Sequence, residues 1–293
     1  MSIIFAPPMG QWFFSRVLDS IPVYRRFRTR KHNKETYFLA EKAAKHDFRA
    51  QVIDSGWATR KCFMDNKYRT LTKELFGFDE SLGYKLVGGV SSSLHWSRRY
   101  EYPYAIINSS LPEQPTKEFK ILDCGAGIGP LQFYFAQKGY TYYPFDQDMF
   151  SLRRVARFKA ENRLMNIHPT YGNILDIPFP NGHFDRVFCV STLEHILIPL
   201  KGDTDVVLKG FVNELLRVLK PEGLLVLTFD VNMSPQKSSH RLYPKEYKKL
   251  CEILGISPEP LPENRLCSSD TREGEIMGKD LSVYCATIRQ GNS

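Results

Sequence analysis

The sequence has no long run of apolar residues, which argues against an integral membrane protein. A helix that crosses a bilayer needs about 18 apolar residues in succession, and no stretch here approaches that length. Near the N-terminus, Pro7, Pro8, Gly10 and Gln11 interrupt the apolar residues, so a standard signal peptide is not expected either. These absences together predict a cytoplasmic protein.

Cysteine is scarce, and its spacing excludes the usual zinc motifs. The chain has six cysteines and no C-x-x-C pair, and several of them lie inside apolar runs. A free thiol in such a run commonly serves as a small core residue. We therefore expect a reducing compartment and no metal site.

Positive charge is distributed unevenly. The net charge is +8, and residues 1–110 hold 18 Lys and Arg against 10 Asp and Glu, whereas residues 111–293 hold 22 of each kind. The whole excess therefore lies in the first part of the chain. It indicates either an anionic neighbour or a solubilising role.

From Phe119 onward, short apolar runs alternate with segments of helical periodicity. This alternation is typical of βαβ units and predicts an α/β fold with a mostly parallel sheet. The predicted strands are Phe119–Cys124, Thr141–Phe145, His168–Tyr171, Phe184–Val190, Leu224–Phe229 and Leu281–Ile288. The predicted helices are Pro130–Lys138, Met149–Arg163, Val206–Leu219 and Pro244–Leu254.

The pattern before Phe119 differs. Residues 10–50 are helical in pattern and basic, and residues 51–90 are mixed. Serine- and proline-containing segments near Ser110 suggest loops. We place a boundary there, with residues 1–110 as a basic, mostly helical cap and residues 111–293 as the main domain.

A glycine-rich turn follows the first predicted strand and carries the strongest functional signal. Glycines allow the backbone to approach a ligand closely, and the turn leads into a helix. The spacing is D-x-G-x-G-x-G, beginning at Asp123, and not the G-x-G-x-x-G of dinucleotide-binding proteins. An aspartate at this place would repel a pyrophosphate and attract the ammonium group of a methionyl ligand.

The chain resembles class I S-adenosylmethionine-dependent methyltransferases between Phe119 and Gln290, specifically the small-molecule and glycan branch of type 11. Three further motifs support the resemblance: Tyr140–Asp146, Gly172–Asp185 and Arg217–Gly223. In the last of these, Pro221 and Gly223 are expected to form the turn between a helix and a strand.

The resemblance implies a Rossmann-like fold with a seven-stranded, mostly parallel sheet, helices on both faces, and S-adenosyl-L-methionine as cofactor. Asp146 closes the second strand, 23 residues after Asp123, and its two carboxylate oxygens could accept both ribose hydroxyls. Asn173 would meet the adenine amino group, and Ile174 would line the adenine. The full set of candidate cofactor residues is Asp123, Gly125, Gly127, Gly129, Asp146, Gln147, Asn173, Ile174 and Ser191.

The methyl acceptor is less well defined. Enzymes that methylate base or amide nitrogens commonly carry Asn/Asp-Pro-Pro-Tyr/Phe at the end of the fourth strand, where this chain has Cys189–His195. This favours an oxygen acceptor and leaves carbon and amine nitrogen open. His195 is the candidate general base, since imidazole titrates near neutral pH. It could instead orient a helix or the cofactor.

Other candidates for binding or activating the methyl acceptor are chosen by their position in the predicted fold. Asp230 ends the fifth strand, and His240 lies in the loop that follows it, where ligands of open α/β sheets bind. Arg98 and Tyr102 belong to a segment, His95–Tyr104, that resembles one preceding the glycine motif in glycan and natural-product methyltransferases. They could close over the cofactor carboxylate or the acceptor, or only pack the cap on the sheet. Glu194, beside His195, is a further substrate-side candidate.

Residues 1–34 combine seven basic side chains with one acid, Asp19, and several aromatic residues. This composition suits peripheral contact with an anionic membrane, an RNA groove, or a cap helix with a buried apolar face. Because every cofactor motif follows Phe119, the segment is expected to be dispensable for cofactor binding.

The favoured function is O-methylation of a small-molecule, glycan or lipid-linked acceptor. An RNA methyltransferase and a non-catalytic scaffold that binds the cofactor are the alternatives.

Overall fold

A computed structural model describes residues 22–46, 48–81, 96–197, 200, 203–234, 242–268 and 280–291. The strands in this part of the chain form one seven-stranded sheet with the order β1-β7-β6-β5-β2-β3-β4. Their bounds are β1 Ala50–Trp57, β2 Lys120–Cys124, β3 Thr141–Asp146, β4 Thr170–Tyr171, β5 Phe184–Val190, β6 Leu219–Asn232 and β7 Leu281–Gln290. The helices are α1 Pro22–Ala43, α2 Asn66–Ser81, α3 Arg98–Asn108, α4 Leu131–Gln137, α5 Met149–Glu161, α6 Leu193–Leu197, α7 Asp205–Val218 and α8 Pro244–Leu254.

The sheet is mostly parallel, as predicted. β2 pairs in parallel with β3 and β5, β3 with β4, and β5 with β6. Only β7 and its neighbours β6 and β1 pair antiparallel. The carboxyl ends of five strands therefore meet at one edge of the sheet, where ligands of such folds bind.

Both faces of the sheet are buried, which explains why the central strands are almost continuously apolar. Along β5, Val187 and Cys189 face one core while Phe188 and Val190 face the other. Helices α7 and α8 supply residues to the first core, and α3 and α4 to the second. The prediction of an α/β sheet with helices on both faces is confirmed. All six cysteines are buried and free, in agreement with their expected place in the core.

The first strand of the sheet was not predicted. β1 begins at Ala50 and continues into residues 51–90, which were predicted only as mixed. It pairs antiparallel with β7, for example Gly56 opposite Cys285. Asp54, Ser55 and Gly56 give β1 no clear alternation of apolar and polar residues. The part of the chain before the predicted boundary near Ser110 thus contributes a strand to the sheet and also covers it with helices.

Strand β6 is longer than predicted. It begins at Leu219, directly after α7, so the turn predicted at Pro221 and Gly223 falls inside the strand, between its two paired parts. Leu219 pairs with Phe184, and the register shifts before Arg186 pairs with Leu224. Glu222, which lies between the two paired parts of the strand, has a positive φ of 63°. No helix in the described ranges is both long and apolar enough to cross a membrane.

Candidate functional site

The glycine-rich turn lies between the end of β2 and the start of α4, at the carboxyl edge of the sheet. The Gly125 N–H donates to the Phe145 carbonyl at 2.8 Å, which fastens the turn to β3. Gly125 and Gly127 have φ values of 74° and 52°, in the left-handed region that favours glycine. A Cβ at Gly125 would overlap the Thr192 side chain, whereas a Cβ at Gly127 would point into open space. Gly127 therefore leaves room for a ligand beside the backbone.

Asp146 holds the same turn from the end of β3. Its Oδ2 accepts the Gly127 N–H at 2.9 Å, and its Oδ1 accepts the Asp148 N–H at 2.8 Å. Burial raises the pKa of Asp146, and these backbone hydrogen bonds oppose that rise. Each carboxylate oxygen keeps a free lone pair, so the side chain can still accept two further hydrogen bonds.

Two cavities open on either side of Gly125. Cavity A lies between α1 and the carboxyl ends of β3, β4 and β5. It is lined by His32, Thr36, Gly125, Phe145, Asp146, Gln147, Gly172, Asn173, Ile174, Leu175, Thr192, His195 and Ile196. Cavity B lies between α3 and the glycine-rich turn. It is lined by Arg98, Tyr102, Asp123, Gly125, Ala126, Gly127, Ile128, Gly129, Leu131, Val190 and Ser191.

The predicted cofactor residues divide between these two cavities. Asp146, predicted for the ribose, and Asn173 and Ile174, predicted for the adenine, line cavity A together with Gln147. Asp123, Gly127, Gly129 and Ser191 line cavity B. Gly125 borders both cavities, which therefore adjoin each other at the glycine-rich turn.

A cluster of buried acidic side chains lies beside cavity B. Its members are Glu101, Asp123, Glu194 and Asp230, each no more than 5% exposed. Arg98 lies among them: its guanidinium forms a salt bridge with Glu101, and its planar group lies 5.8 Å from the centre of the Tyr102 ring. This acidic cluster carries more carboxyl groups than one guanidinium can neutralise.

The hydrogen bonds of the acidic cluster are incomplete. Thr228 donates to Glu101 at 2.6 Å, Tyr142 to Asp123 at 2.8 Å, and Ser191 to Oε1 of Glu194 at 2.8 Å. Oε2 of Glu194 and Oδ1 of Asp230 are buried without a hydrogen-bond partner in the described structure. A buried carboxylate that lacks a hydrogen bond destabilises the folded protein unless it is protonated or a bound ligand supplies the missing hydrogen bond. Within the same ranges, no group of three or more His, Cys, Asp or Glu side chains has a metal-binding arrangement.

Burial raises the pKa values of three of these acids, Asp123, Glu194 and Asp230. It brings the pKa of Asp123 to about 7 and that of Glu194 to about 7, and raises the pKa of Asp230 well above its ordinary value. For Asp230 the negative charges of Glu194 and Glu101 add to the effect of burial, while Arg98 opposes it. Glu194 thus has the character of a group that can take up or release a proton near neutral pH.

These shifts predict that stability falls as pH rises. The folded protein keeps protons on Asp123 and Glu194 where the unfolded chain has lost them, so their contribution is full below about pH 4 and is lost as pH rises through about 7. The raised pKa of Asp230 acts in the same direction. A shift of the Glu194 pKa from 4.5 to about 7 corresponds to about 3 kcal/mol.

Urea unfolding without cofactor should therefore give a lower free energy of unfolding at pH 8 than at pH 5.5. Glu194→Gln should flatten this dependence, whereas Glu113→Gln, at an exposed carboxyl group, should leave it as in the wild type. A free energy that rises over the same range in the wild type would contradict the assignment of raised pKa values.

Two of the three predicted acid–base residues lie in the described structure, and they lie beside different cavities. His195 lines cavity A, its side chain is 60% exposed, and its Nε2 lies 4.0 Å from Oε1 of Glu194. Asp230 belongs to the acidic cluster beside cavity B. His240 lies outside the described residues, as does most of the loop that contains it. His195 is therefore placed with the candidate adenosine residues and Asp230 with the candidate methionyl residues.

Sequence reasoning missed some residues of the site. Glu101 had no assigned role, although it anchors Arg98 to β6 through Thr228. Its spacing of three residues from Arg98 on a helix was a usable signal for an ion pair. His32 and Thr36 were also missed, since nothing in the sequence indicates that α1 borders the cofactor motifs.

The seven-stranded sheet, the glycine-rich turn and the acid at the end of β3 give the Rossmann-like fold of class I methyltransferases. Residues 122–227 match the family described as "Methyltransferase domain". The resemblance predicted from the sequence is confirmed over this segment.

Both characterised and uncharacterised proteins are similar in sequence to part of this chain. An uncharacterised protein of Methanocaldococcus jannaschii is 35% identical over 111 residues, which are 38% of this chain and 40% of that protein. Norajmaline N-methyltransferase of Rauvolfia serpentina is 26% identical over 159 residues, 51% of this chain and 50% of the relative. A probable tocopherol O-methyltransferase of Oryza sativa subsp. japonica is 29% identical over 150 residues, 49% and 39% of the two chains. The chain thus spans half or less of the length of these relatives.

Proposed function

We propose that this chain is an S-adenosylmethionine-dependent methyltransferase that acts on a small-molecule acceptor. The observation that carries the proposal is the pair of cavities that adjoin at Gly125, with Asp146 lining cavity A and Asp123 lining cavity B. The open space at Gly127 and the acceptor lone pairs of Asp146 suit this cofactor. When bound, it supplies a methyl group on a positively charged sulfur.

The residues of the two cavities would have distinct roles. Asp146 would accept hydrogen bonds from the ribose, and Asn173 with Ile174 would contact the adenine. Asp123, whose buried carboxyl group lines cavity B, would face the methionyl ammonium. Arg98, held by Glu101, is suited to the carboxylate at the same end.

For the acceptor we propose an oxygen nucleophile on a small molecule, a glycan or a lipid-linked compound. The absence of the nitrogen-binding Pro-Pro motif supports it, as does the pair of buried carboxyl groups, Glu194 and Asp230. A hydroxyl acceptor must lose its proton during the transfer, and a carboxyl group whose pKa lies near 7 is suited to take it. Ser191, which lines cavity B and donates to Glu194, connects this pair to the cavity.

The proposal can be tested without knowing the acceptor. The protein is incubated with methyl-labelled cofactor and metabolite or lipid extracts, and labelled products are identified by mass spectrometry. We expect a labelled methyl ether, formed at a hydroxyl group of the acceptor. Glu194→Gln, Asp230→Asn and His195→Ala are then compared for turnover and cofactor affinity. Loss of turnover by about a hundredfold, with intact affinity, would identify the base.

The outcomes separate the alternatives. A labelled amine or carbon product would refute the oxygen acceptor and keep the methyltransferase. Cofactor binding with no labelled product in any extract would favour a non-catalytic scaffold. A labelled nucleotide after incubation with RNA would favour the RNA methyltransferase.

We also propose that residues 1–34 contact anionic membranes. Their net charge of +6 and their aromatic residues support this, with each cation near such a surface contributing about 1 kcal/mol. Residues 1–21 lie outside the described structure, and residues 22–34 belong to α1. A membrane-associated enzyme of this kind would be positioned to meet a lipid-linked acceptor.

Liposome flotation tests this contact. Replacing Arg25, Arg26 and Arg28 with Gln should lower the partition onto anionic vesicles by about a hundredfold, because three cations are lost. Neutral vesicles and high salt should abolish the binding of the wild type as well. The control replaces three exposed lysines remote from this segment, Lys117, Lys245 and Lys248, with Gln. Equal flotation of both variants and the wild type, or none by any, would contradict the proposal.

A further inference from the structure

Helix α1 is docked on the methyltransferase domain at its C-terminal end. Ala40 is fully buried, and a Cβ added to Gly210 of α7 would lie only 2.8 Å from the Ala40 Cα. The Asn213 side-chain amide of α7 donates to the Ala43 carbonyl at 3.3 Å. The two helices therefore approach closely, and their contact depends on the glycine at position 210.

This docking brings another part of α1 to cavity A. His32 and Thr36 line the cavity, and Thr36 is only 3% exposed. Positions 32, 36 and 40 are spaced four residues apart, so they share one face of the helix. The same face thus contacts cavity A near its beginning and α7 near its end.

The opposite wall of cavity A is built from the predicted cofactor residues. It includes Asp146, Asn173 and Ile174, together with His195 and Ile196. A ligand that fills the cavity from this wall would contact α1 on its other side. The imidazole of His32 and the hydroxyl of Thr36 are both able to form hydrogen bonds.

We infer that α1 is part of the cofactor site, with His32 and Thr36 binding the adenosine portion of S-adenosylmethionine. This inference rests on the proposed function. It means that a segment ahead of the matched domain at residues 122–227 sets cofactor affinity. The expectation that residues 1–34 are dispensable for cofactor binding is accordingly revised, because His32 belongs to the cavity wall.

Cofactor binding and the docking of α1 are then linked, and the link acts in both directions. A cofactor that contacts both walls holds α1 in place, and a variant that loosens α1 weakens the cofactor. The basic residues from Arg25 to Lys34 lie on this helix. The described part of the segment proposed to contact a membrane and the α1 wall of cavity A therefore belong to one helix.

Calorimetry with the demethylated cofactor, S-adenosylhomocysteine, tests the inference on the full chain. His32→Ala should raise the dissociation constant about three- to tenfold, the effect of losing one hydrogen bond. Gly210→Leu should raise it by at least as much, because the added side chain pushes α1 away from α7. Glu41→Gln, at an exposed position on the same helix, serves as the control and should bind as the wild type does.

Hydrogen exchange gives a readout that is independent of the variants. In the wild type, the ligand should slow exchange of the amides of α1. Unchanged affinity in a folded His32→Ala variant, together with unchanged exchange in α1, would overturn the inference and leave the proposed function standing. Failure of the wild type to bind the ligand would overturn both. If Gly210→Leu does not fold, His32→Ala and the exchange of α1 decide the matter.

Discussion

Replacing Gly127 with valine is expected to abolish binding of S-adenosylmethionine. Gly127 lines cavity B with φ at 52°, and the space where its side chain would project holds no atom within 4 Å. Valine would project into the space reserved for the methionyl portion. Its branched Cβ would also strain the left-handed backbone, at a cost of about 1–3 kcal/mol.

Calorimetry should show a dissociation constant raised by about a hundredfold or more, which corresponds to a loss of about 3 kcal/mol. The wild type should bind S-adenosylmethionine and its demethylated product, and neither NAD nor NADP. Gly255→Val is the matched control. Gly255 has φ at 70° and open space around its Cβ position, but it ends α8, outside both cavities.

The comparison isolates the ligand contact from backbone strain. Both variants should lose similar stability in thermal unfolding, while only Gly127→Val should lose affinity. An unchanged dissociation constant in Gly127→Val would show that the cofactor does not pass over this turn. Tight nicotinamide binding with no response to S-adenosylmethionine would refute the assignment of the cofactor itself.

Replacing Asp146 with alanine should raise the cofactor dissociation constant by about thirtyfold, or about 2 kcal/mol. Two effects combine in this variant. The ribose would lose a charged hydrogen-bond acceptor, and the Gly127 N–H would lose the partner that now lies 2.9 Å away. The turn would then be less well ordered for binding.

Asp146→Asn separates these effects, because it keeps the shape and one acceptor oxygen but removes the charge. We expect an affinity between those of the wild type and Asp146→Ala. Glu161→Ala, at the exposed end of α5, is the control for removing one negative charge. The same dissociation constant in Asp146→Ala and wild type would mean that another residue holds the ribose.

Much of the candidate cofactor site could be predicted because its residues follow strands that are consecutive in the sequence. The run from Phe119 to Asp185 contains β2, β3, β4 and the start of β5, and each predicted cofactor residue in it follows or ends one of these strands. Parallel strands joined by helices bring their carboxyl ends to one edge. A motif at the end of each strand therefore predicts a shared site without knowledge of the packing.

The acceptor side could not be predicted in the same way. Asp230 and Glu194 were chosen for their position at strand ends, but their burial, raised pKa values and incomplete hydrogen bonds depend on the packing of α3 over β5 and β6. The sequence also could not show that His195 lines cavity A whereas Asp230 lies in the acidic cluster beside cavity B.

The sequence by itself determined the α/β class, the central strands, the glycine-rich turn and the acid that holds it, because each depends on periodicity or on spacing within a few dozen residues. Only the tertiary structure decided that β1 pairs with β7, more than 200 residues away, and that α1 borders cavity A. Local patterns carry no information on such distant contacts. They arise from close packing, such as that of Gly210 against Ala40, whose partners have no shared motif.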